Sequence, residues 1–283
     1  MNAEISKTSG FCMGVGNAVS LVEDLLEKNK KVCTLGPIIH NPKVIEKFAR
    51  KGVKIINKSS ESDSESVVVI RSHGVTKSEL EYIKENNINF VDGTCRFVKK
   101  IHDIADKYSK VSEFLLIAGN SIHPEVVGIR SYFSGESFVF KNLDELKEIV
   151  SKNSKLKSSS VLVIAQTTYS TEEWGKCTDF IKSELPNAKI FNTICHTTNL
   201  RQQEAKELSK KSDLMIVIGG KQSSNTLKLY NICSENAPTV WIEDAKELEN
   251  INIKKYENIG IVAGASTPKA DIDEAYQKIC ILL

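Results

Sequence analysis

Residues 213–220 read Asp-Leu-Met-Ile-Val-Ile-Gly-Gly, five apolar residues between an acid and two glycines. A strand that is apolar without alternation is buried on both faces, which is the pattern of a parallel sheet covered by helices. The same kind of run stands twice upstream, as KVCTLG at 31–36 and EFLLIAG at 113–119. Working back from each strand leads to an amphipathic helix, and working back from each helix leads to a cysteine. Cys12 precedes GVGNAVSLVEDLLEKN (14–29), Cys95 precedes RFVKKIHDIADKYSK (96–110) and Cys195 precedes HTTNLRQQEAKELSKK (196–211). Working forward, the three strands end in the polar loops PIIHNP, NSIHPE and KQSSNT, where His40, His123 and Ser223 each stand 28 residues beyond their cysteine. One order of elements is therefore written three times.

Each copy continues in the same way. A second strand follows (VKIIN, SFVFK, PTVWIE), then a third with a polar end (VVVIRSHG, VLVIAQTT, IGIVAGAST), then a helix. Counted from the cysteines, His73, Gln166 and Ser266 fall at comparable places. In the first two copies a fourth strand, INFVDGT or AKIFNTI, delivers the next cysteine; the last copy has none, and the N-terminal AEISKTSGF supplies it ahead of Cys12. Parallel strands joined by right-handed helical crossovers place ligand loops at their carboxyl ends. The expected fold is α/β: three small parallel-sheet domains, 13–94, 95–194 and 195–283 plus 1–12, in a pseudo-threefold, trefoil-like arrangement around a central cavity on which the three cysteines converge. The tracts SSESDSES (59–66) and SKNSKLKSSS (151–160) read as solvated loops.

Composition narrows the function. The chain has 283 residues, with 38 basic against 36 acidic side chains and a net charge of +2, so no strong field invites nucleic acid or a membrane surface. No apolar run reaches the length of a membrane span, and the N-terminus has neither basic leader nor apolar segment, so a cytoplasmic location is expected. No long heptad argues against a monomer. Walker's GxxxxGK[ST] does not occur, and Gly14-x-Gly16 lacks the third glycine of a dinucleotide fingerprint.

Seven cysteines occur and no C-x-x-C pair, so a metal site has to be assembled from distant parts of the chain. Thiols at helix N-termini are acidified by the exposed amides and the positive dipole end, which makes Cys12, Cys95 and Cys195 candidate ligands. Three thiolates suit an iron-sulfur cluster with one open iron, with zinc as the competing metal. Cys33, Cys177, Cys233 and Cys280 read as core packing, and His102 and His196 as packing or surface residues. His40, His73 and His123, with Thr167, Ser223, Ser224, Asn225 and Ser266, form strand-end groups able to surround an anion, although any one could be a turn or a helix cap. Glu125 reads either as a surface carboxylate or, in a water-poor cavity beside a metal group, as a proton donor with a raised pKa.

Taken in order, Gly10-Phe11-Cys12, Ile39-His40-Asn41, Ser72-His73-Gly74-Val75, Asp92-Gly93-Thr94-Cys95, His123-Pro124-Glu125-Val126, Gln166-Thr167-Thr168, Ser223-Ser224-Asn225 and Gly264-Ala265-Ser266 span the whole chain. In this set the sequence resembles the 4-hydroxy-3-methylbut-2-enyl diphosphate reductase family, the last step of the methylerythritol phosphate route to isoprenoids. The resemblance implies a 4Fe-4S cluster held by Cys12, Cys95 and Cys195, with one iron open to an allylic diphosphate. It implies a diphosphate held by His40, His73, Ser223, Asn225 and Ser266, with His123 and Ser224 at its edge. Glu125 would supply protons, with Thr167 relaying or positioning them. The implied reaction is a two-electron reductive dehydroxylation giving isopentenyl and dimethylallyl diphosphate, fed by ferredoxin or flavodoxin. Arg96 stands where the family commonly has proline, and Val127 where an acid often precedes the glycine. The rival classes are a non-catalytic binder of a phosphorylated metabolite and a metal or redox sensor.

Overall fold

Leu115, Leu116 and Ile117 are all fully buried although successive side chains of a strand point to opposite faces. Leu116 packs with Trp174, Cys177 and Ile181 on one side, while Leu115 and Ile117 pack with Ile101, Ala105, Val126 and Ile129 on the other. Helices on both faces remove the need for alternation, and each such side chain contributes about 1.5–3 kcal/mol by leaving water. The computed structural model describes residues 2–282, and three four-stranded sheets built in this way, all parallel, carry the described chain.

The first sheet has the order β3-β2-β4-β5, from β2 (Lys31–Leu35), β3 (Lys54–Ile56), β4 (Ser66–Ile70) and β5 (Phe90–Asp92). The second has the order β7-β6-β8-β9, from β6 (Phe114–Ala118), β7 (Glu136–Phe140), β8 (Val161–Ala165) and β9 (Ala188–Ile190). The third has the order β1-β12-β10-β11, from β1 (Asn2–Ile5), β10 (Leu214–Ile218), β11 (Thr239–Ile242) and β12 (Asn258–Ala263). The N-terminal strand thus pairs with the last one, Ala3 beside Ile259 and Ile5 beside Ile261. By contacts the chain divides into two compact units: Met1–Gly16, Ile39–Phe48 and His196–Leu283, which hold the third sheet, and Asn17–Ile38 and Ala49–Cys195, which hold the first two.

The helices that follow the cysteines are α1 (Met13–Glu27), α4 (Arg96–Tyr108) and α8 (His196–Ser209). Those after the third strands are α3 (Lys77–Glu85), α7 (Thr171–Glu184) and α10 (Lys269–Leu282). Four more occupy stretches that the strand–helix repeat alone reads as connections: α2 (Pro42–Arg50), α5 (Pro124–Ser131), α6 (Leu143–Lys152) and α9 (Ser224–Ser234). Proline opens α2 and α5, where its missing N–H costs no hydrogen bond.

Neither polar tract is simply a solvated loop. In 151–160, α6 runs to Lys152 and a 3-10 turn carries Leu156 fully into the core, leaving its lysines outside. In 59–66, Ser59 is fully buried, and its N–H and hydroxyl donate to Glu79 Oε1 at 2.7 and 2.5 Å.

Candidate active site

The functional groups sit where the strands end. In the unit holding the first two sheets, β6 gives way at Gly119 to a turn that ends on His123, the N-cap of α5. His123 Nδ1 accepts the Glu125 N–H at 3.2 Å. An acceptor at Nδ1 leaves the proton of the neutral ring on Nε2, which becomes a donor to an anion. Glu125, in the first turn of α5, is only 2% exposed, so it is not a surface carboxylate.

Two residues past β8, Thr167 faces that carboxylate. Its N–H donates to Glu125 Oε1 at 2.6 Å and its hydroxyl to Oε2 at 2.8 Å. Burial raises the pKa of Glu125 to about 7, against the two Thr167 hydrogen bonds, which favour the ionised form. The adjoining Gln166 Oε1 accepts the Asn120 N–H at 3.1 Å, tying the β6 and β8 ends together. His73 lies in the turn after β4, closed by Gly74 N–H to Arg71 O at 3.0 Å with Gly74 at φ +74°. The rings of His73 and His123 meet edge to face, 5.2 Å between centroids.

The unit holding the third sheet presents a matching set. Ser223 caps α9, accepting the Thr226 N–H at 3.3 Å, and Ser224 and Asn225 occupy its first turn. Asn225 is 4% exposed, yet neither Oδ1 nor Nδ2 has a hydrogen-bond partner among the described residues. A carboxamide buried with both ends unsatisfied is costly unless a ligand completes it. Asn41 Nδ2 donates to Ser266 O at 2.9 Å while its Oδ1 accepts the Val44 N–H at 3.1 Å, so one side chain fixes both α2 and the Ser266 turn. His40, partly exposed, precedes Asn41; its carbonyl lies 2.8 Å from where a Cβ on Gly220 would stand, so the close approach requires glycine there.

The cysteines share one backbone device. Cys95 N–H donates to Ser72 O at 3.0 Å, Cys195 N–H to Thr167 O at 3.0 Å and Cys12 N–H to Ala265 O at 3.2 Å. Each acceptor stands two residues beyond its strand, β4, β8 or β12. This register makes Thr168, not Gln166, the counterpart of His73 and Ser266; counting from the cysteines slips because the connections differ in length.

All three cysteines are partly exposed at helix starts, and Cys12 Sγ lies 3.5 Å from the Val15 N–H. Cys33, Cys177 and Cys233 are buried, and burial pushes the last two thiols up to about 11 and about 12, so they remain protonated. Cys280 is exposed instead of packed. The soft donors suited to a metal group are therefore Cys12, Cys95 and Cys195. Arg96 is exposed, its guanidinium 4.9 Å from the Phe97 ring. His102 is buried, stacked on Tyr132 at 4.2 Å between centroids, and desolvation lowers its pKa to about 4.

The profile of the LytB protein family matches residues 4–280. The chain belongs to this family. Its relative in Clostridioides difficile, named 4-hydroxy-3-methylbut-2-enyl diphosphate reductase, is 39% identical over 275 residues, covering 97% of each chain. A relative of the same name in a Thermoanaerobacter species is 39% identical over 290 residues, covering 100% of this chain and 98% of the relative. The solved structure of (E)-4-hydroxy-3-methyl-but-2-enyl diphosphate reductase, the terminal enzyme of the non-mevalonate pathway, aligns with TM-score 0.70 at 35% identity over 99% of this chain and 100% of that one. The Plasmodium falciparum reductase structure shares the fold, with TM-score 0.88 at 24% identity over 97% and 86% of the two chains.

Within this LytB-family chain, sequence reading gave no role to Asn41, Arg201 or Glu204. Asn41 carried a signal, since Asn directly before proline is an N-cap pattern. Arg201 also carried one: with Thr198, Ala205 and Leu208 it lies on the buried stripe of α8, an unusual place for a charge.

Proposed function

We propose that this chain is the oxidoreductase that converts (E)-4-hydroxy-3-methylbut-2-enyl diphosphate to isopentenyl and dimethylallyl diphosphate by two-electron reductive dehydroxylation. Membership of the LytB family supports the reaction, and the observation that carries it is the buried Glu125–Thr167 pair, a carboxyl group poised to hold a proton near neutrality.

Cys12, Cys95 and Cys195 would hold a 4Fe-4S cluster. Their chemistry fits: three soft donors at helix starts, with a backbone that presents each in the same way. When bound, such a cluster supplies a Lewis-acidic iron and single electrons. His40, His73, Ser223, Asn225 and Ser266 hold the diphosphate, with His123 and Ser224 at its edge. His123 donates from Nε2, and Asn225 gains the partner its carboxamide lacks.

Oε1 of Glu125 faces the Thr167 N–H, an obligate donor. The proton of the neutral acid is therefore best placed on Oε2. There the Thr167 hydroxyl can turn from donor to acceptor and offer its own hydrogen onward, which makes Thr167 a relay as well as a support.

We assign each sheet with its helices to one domain, 13–94, 95–194 and 195–283 with 1–12. Ferredoxin or flavodoxin delivers the electrons to a cytoplasmic monomer. Among the described residues no helix is long and apolar enough to cross a membrane.

Turnover tests the proposal. Anaerobically reconstituted protein given the hydroxymethylbutenyl diphosphate and a strong one-electron reductant should form both five-carbon diphosphates. A preparation with full iron and sulfide that forms neither would overturn it.

A further inference from the structure

The buried face of α8 is polar where an amphipathic helix would be apolar, and its Arg201, with the half-buried Glu204 beside it, converges on one loop. Arg201 is 4% exposed. Its Nη1 donates to Ala263 O at 3.0 Å and its Nη2 to Gly10 O at 2.6 Å. One turn on, Glu204 accepts the Thr8 N–H at 3.0 Å and the hydroxyls of Ser6 and Thr8 at 2.6 and 2.8 Å.

Both carbonyls held by Arg201 flank Cys12. Gly10 stands two residues before it, at φ +103°, a conformation that glycine allows. Ala263 stands two residues before Ala265, whose carbonyl accepts the Cys12 N–H. The guanidinium thus bridges the two chain segments that meet at Cys12, while Glu204 anchors the segment leading in. A rigid fork with several donors can span two carbonyls in this way; lysine offers a single point of charge, and methionine leaves two buried carbonyls without their donor.

We infer that Arg201, supported by Glu204, is a positioning residue that sets the direction of the Cys12 thiol, and through it the hold on the metal group. The inference rests on the proposed role of Cys12 as a ligand. Arg201 is buried with Nη1 and Nη2 donating to backbone carbonyls, so its effect is exerted through the Gly10–Cys12 loop.

The experiment compares Arg201→Met, Arg201→Lys and Glu204→Gln with the parent protein by two readouts. In metal-free protein, the alkylation rate of each cysteine is followed by mass spectrometry. In reconstituted protein, loss of iron to a chelator is followed with time. Arg201→Met should change the Cys12 alkylation rate at least fivefold while Cys95 and Cys195 in the same molecules keep theirs, and should lose iron at least fivefold faster. Arg201→Lys should fall between Arg201→Met and the parent.

A common change at all three cysteines, or none at Cys12, would overturn the inference. If Arg201→Met does not fold, the same selectivity is required of Glu204→Gln. If the parent protein takes up no iron-sulfur cluster, the cofactor reading fails, while the alkylation pattern still decides whether Arg201 holds Cys12.

Discussion

Thr167 donates both its backbone N–H and its hydroxyl to Glu125, one to each carboxylate oxygen, at 2.6 and 2.8 Å. Burial raises the carboxyl pKa to about 7, and the Thr167 bonds limit that rise. Thr167→Val removes the hydroxyl bond and keeps the amide bond, so the Glu125 pKa should rise further. The falling limb of the pH–rate profile should then move to higher pH, and turnover should drop at least tenfold for want of the relay. Thr167→Ser should restore both the limb and the rate. Profiles of the three proteins check this.

The same carboxyl makes stability depend on pH, with a definite sign. Its folded pKa, about 7, lies above its ordinary value of 4.5, so between these values the folded state binds more protons than the unfolded state. Stability from this group is full below about 4.5 and is lost as pH rises through about 7, by on the order of 3 kcal/mol. Glu125→Gln has no such group. Urea midpoints at pH 5 and pH 8 should therefore fall less in Glu125→Gln than in the parent.

Asn225 holds two unsatisfied polar atoms in a buried place. Asn225→Ala removes them, so the ligand-free protein should melt at the same temperature or higher, while affinity for the diphosphate substrate falls at least tenfold. Calorimetry of the free protein and a binding isotherm measure the two effects separately. A lower melting point with unchanged affinity would make Asn225 a structural residue.

Gly264 follows β12, and a Cβ there would land on Thr226 Oγ1 and approach Thr267 Oγ1 at 3.5 Å. Thr226 is 1% exposed and its N–H is held by Ser223 Oγ at 3.3 Å, so it has little room to move. Gly264→Ala should cost about 1–3 kcal/mol, read as a lower urea midpoint with an unchanged slope.

The sheets were legible in the sequence because their strands are continuous apolar runs, and even the place of β1 in the third sheet followed from the strand missing at the end of the third copy. The short helices were harder. His123 and Ser223 read as anion-facing strand-end groups with turn or cap left open, because a cap and a turn draw on the same side chains. Glu125 could not be placed inside or outside, because its burial depends on Thr167, 42 residues away. Arg201 was further out of reach, since its partner Gly10 is separated from it by 191 residues. Only the charge on a buried helical stripe hinted at it.

The central claim is that Glu125 gives up the proton that completes dehydroxylation, and turnover measured against pH in the parent protein and in Glu125→Gln tests it most directly. The parent rate should fall as pH rises through about 7. Glu125→Gln should bind substrate and keep its metal group, yet run about 10²- to 10⁴-fold slower with no such limb. Near-parent turnover with the limb intact in Glu125→Gln would contradict the account and move the proton to another group.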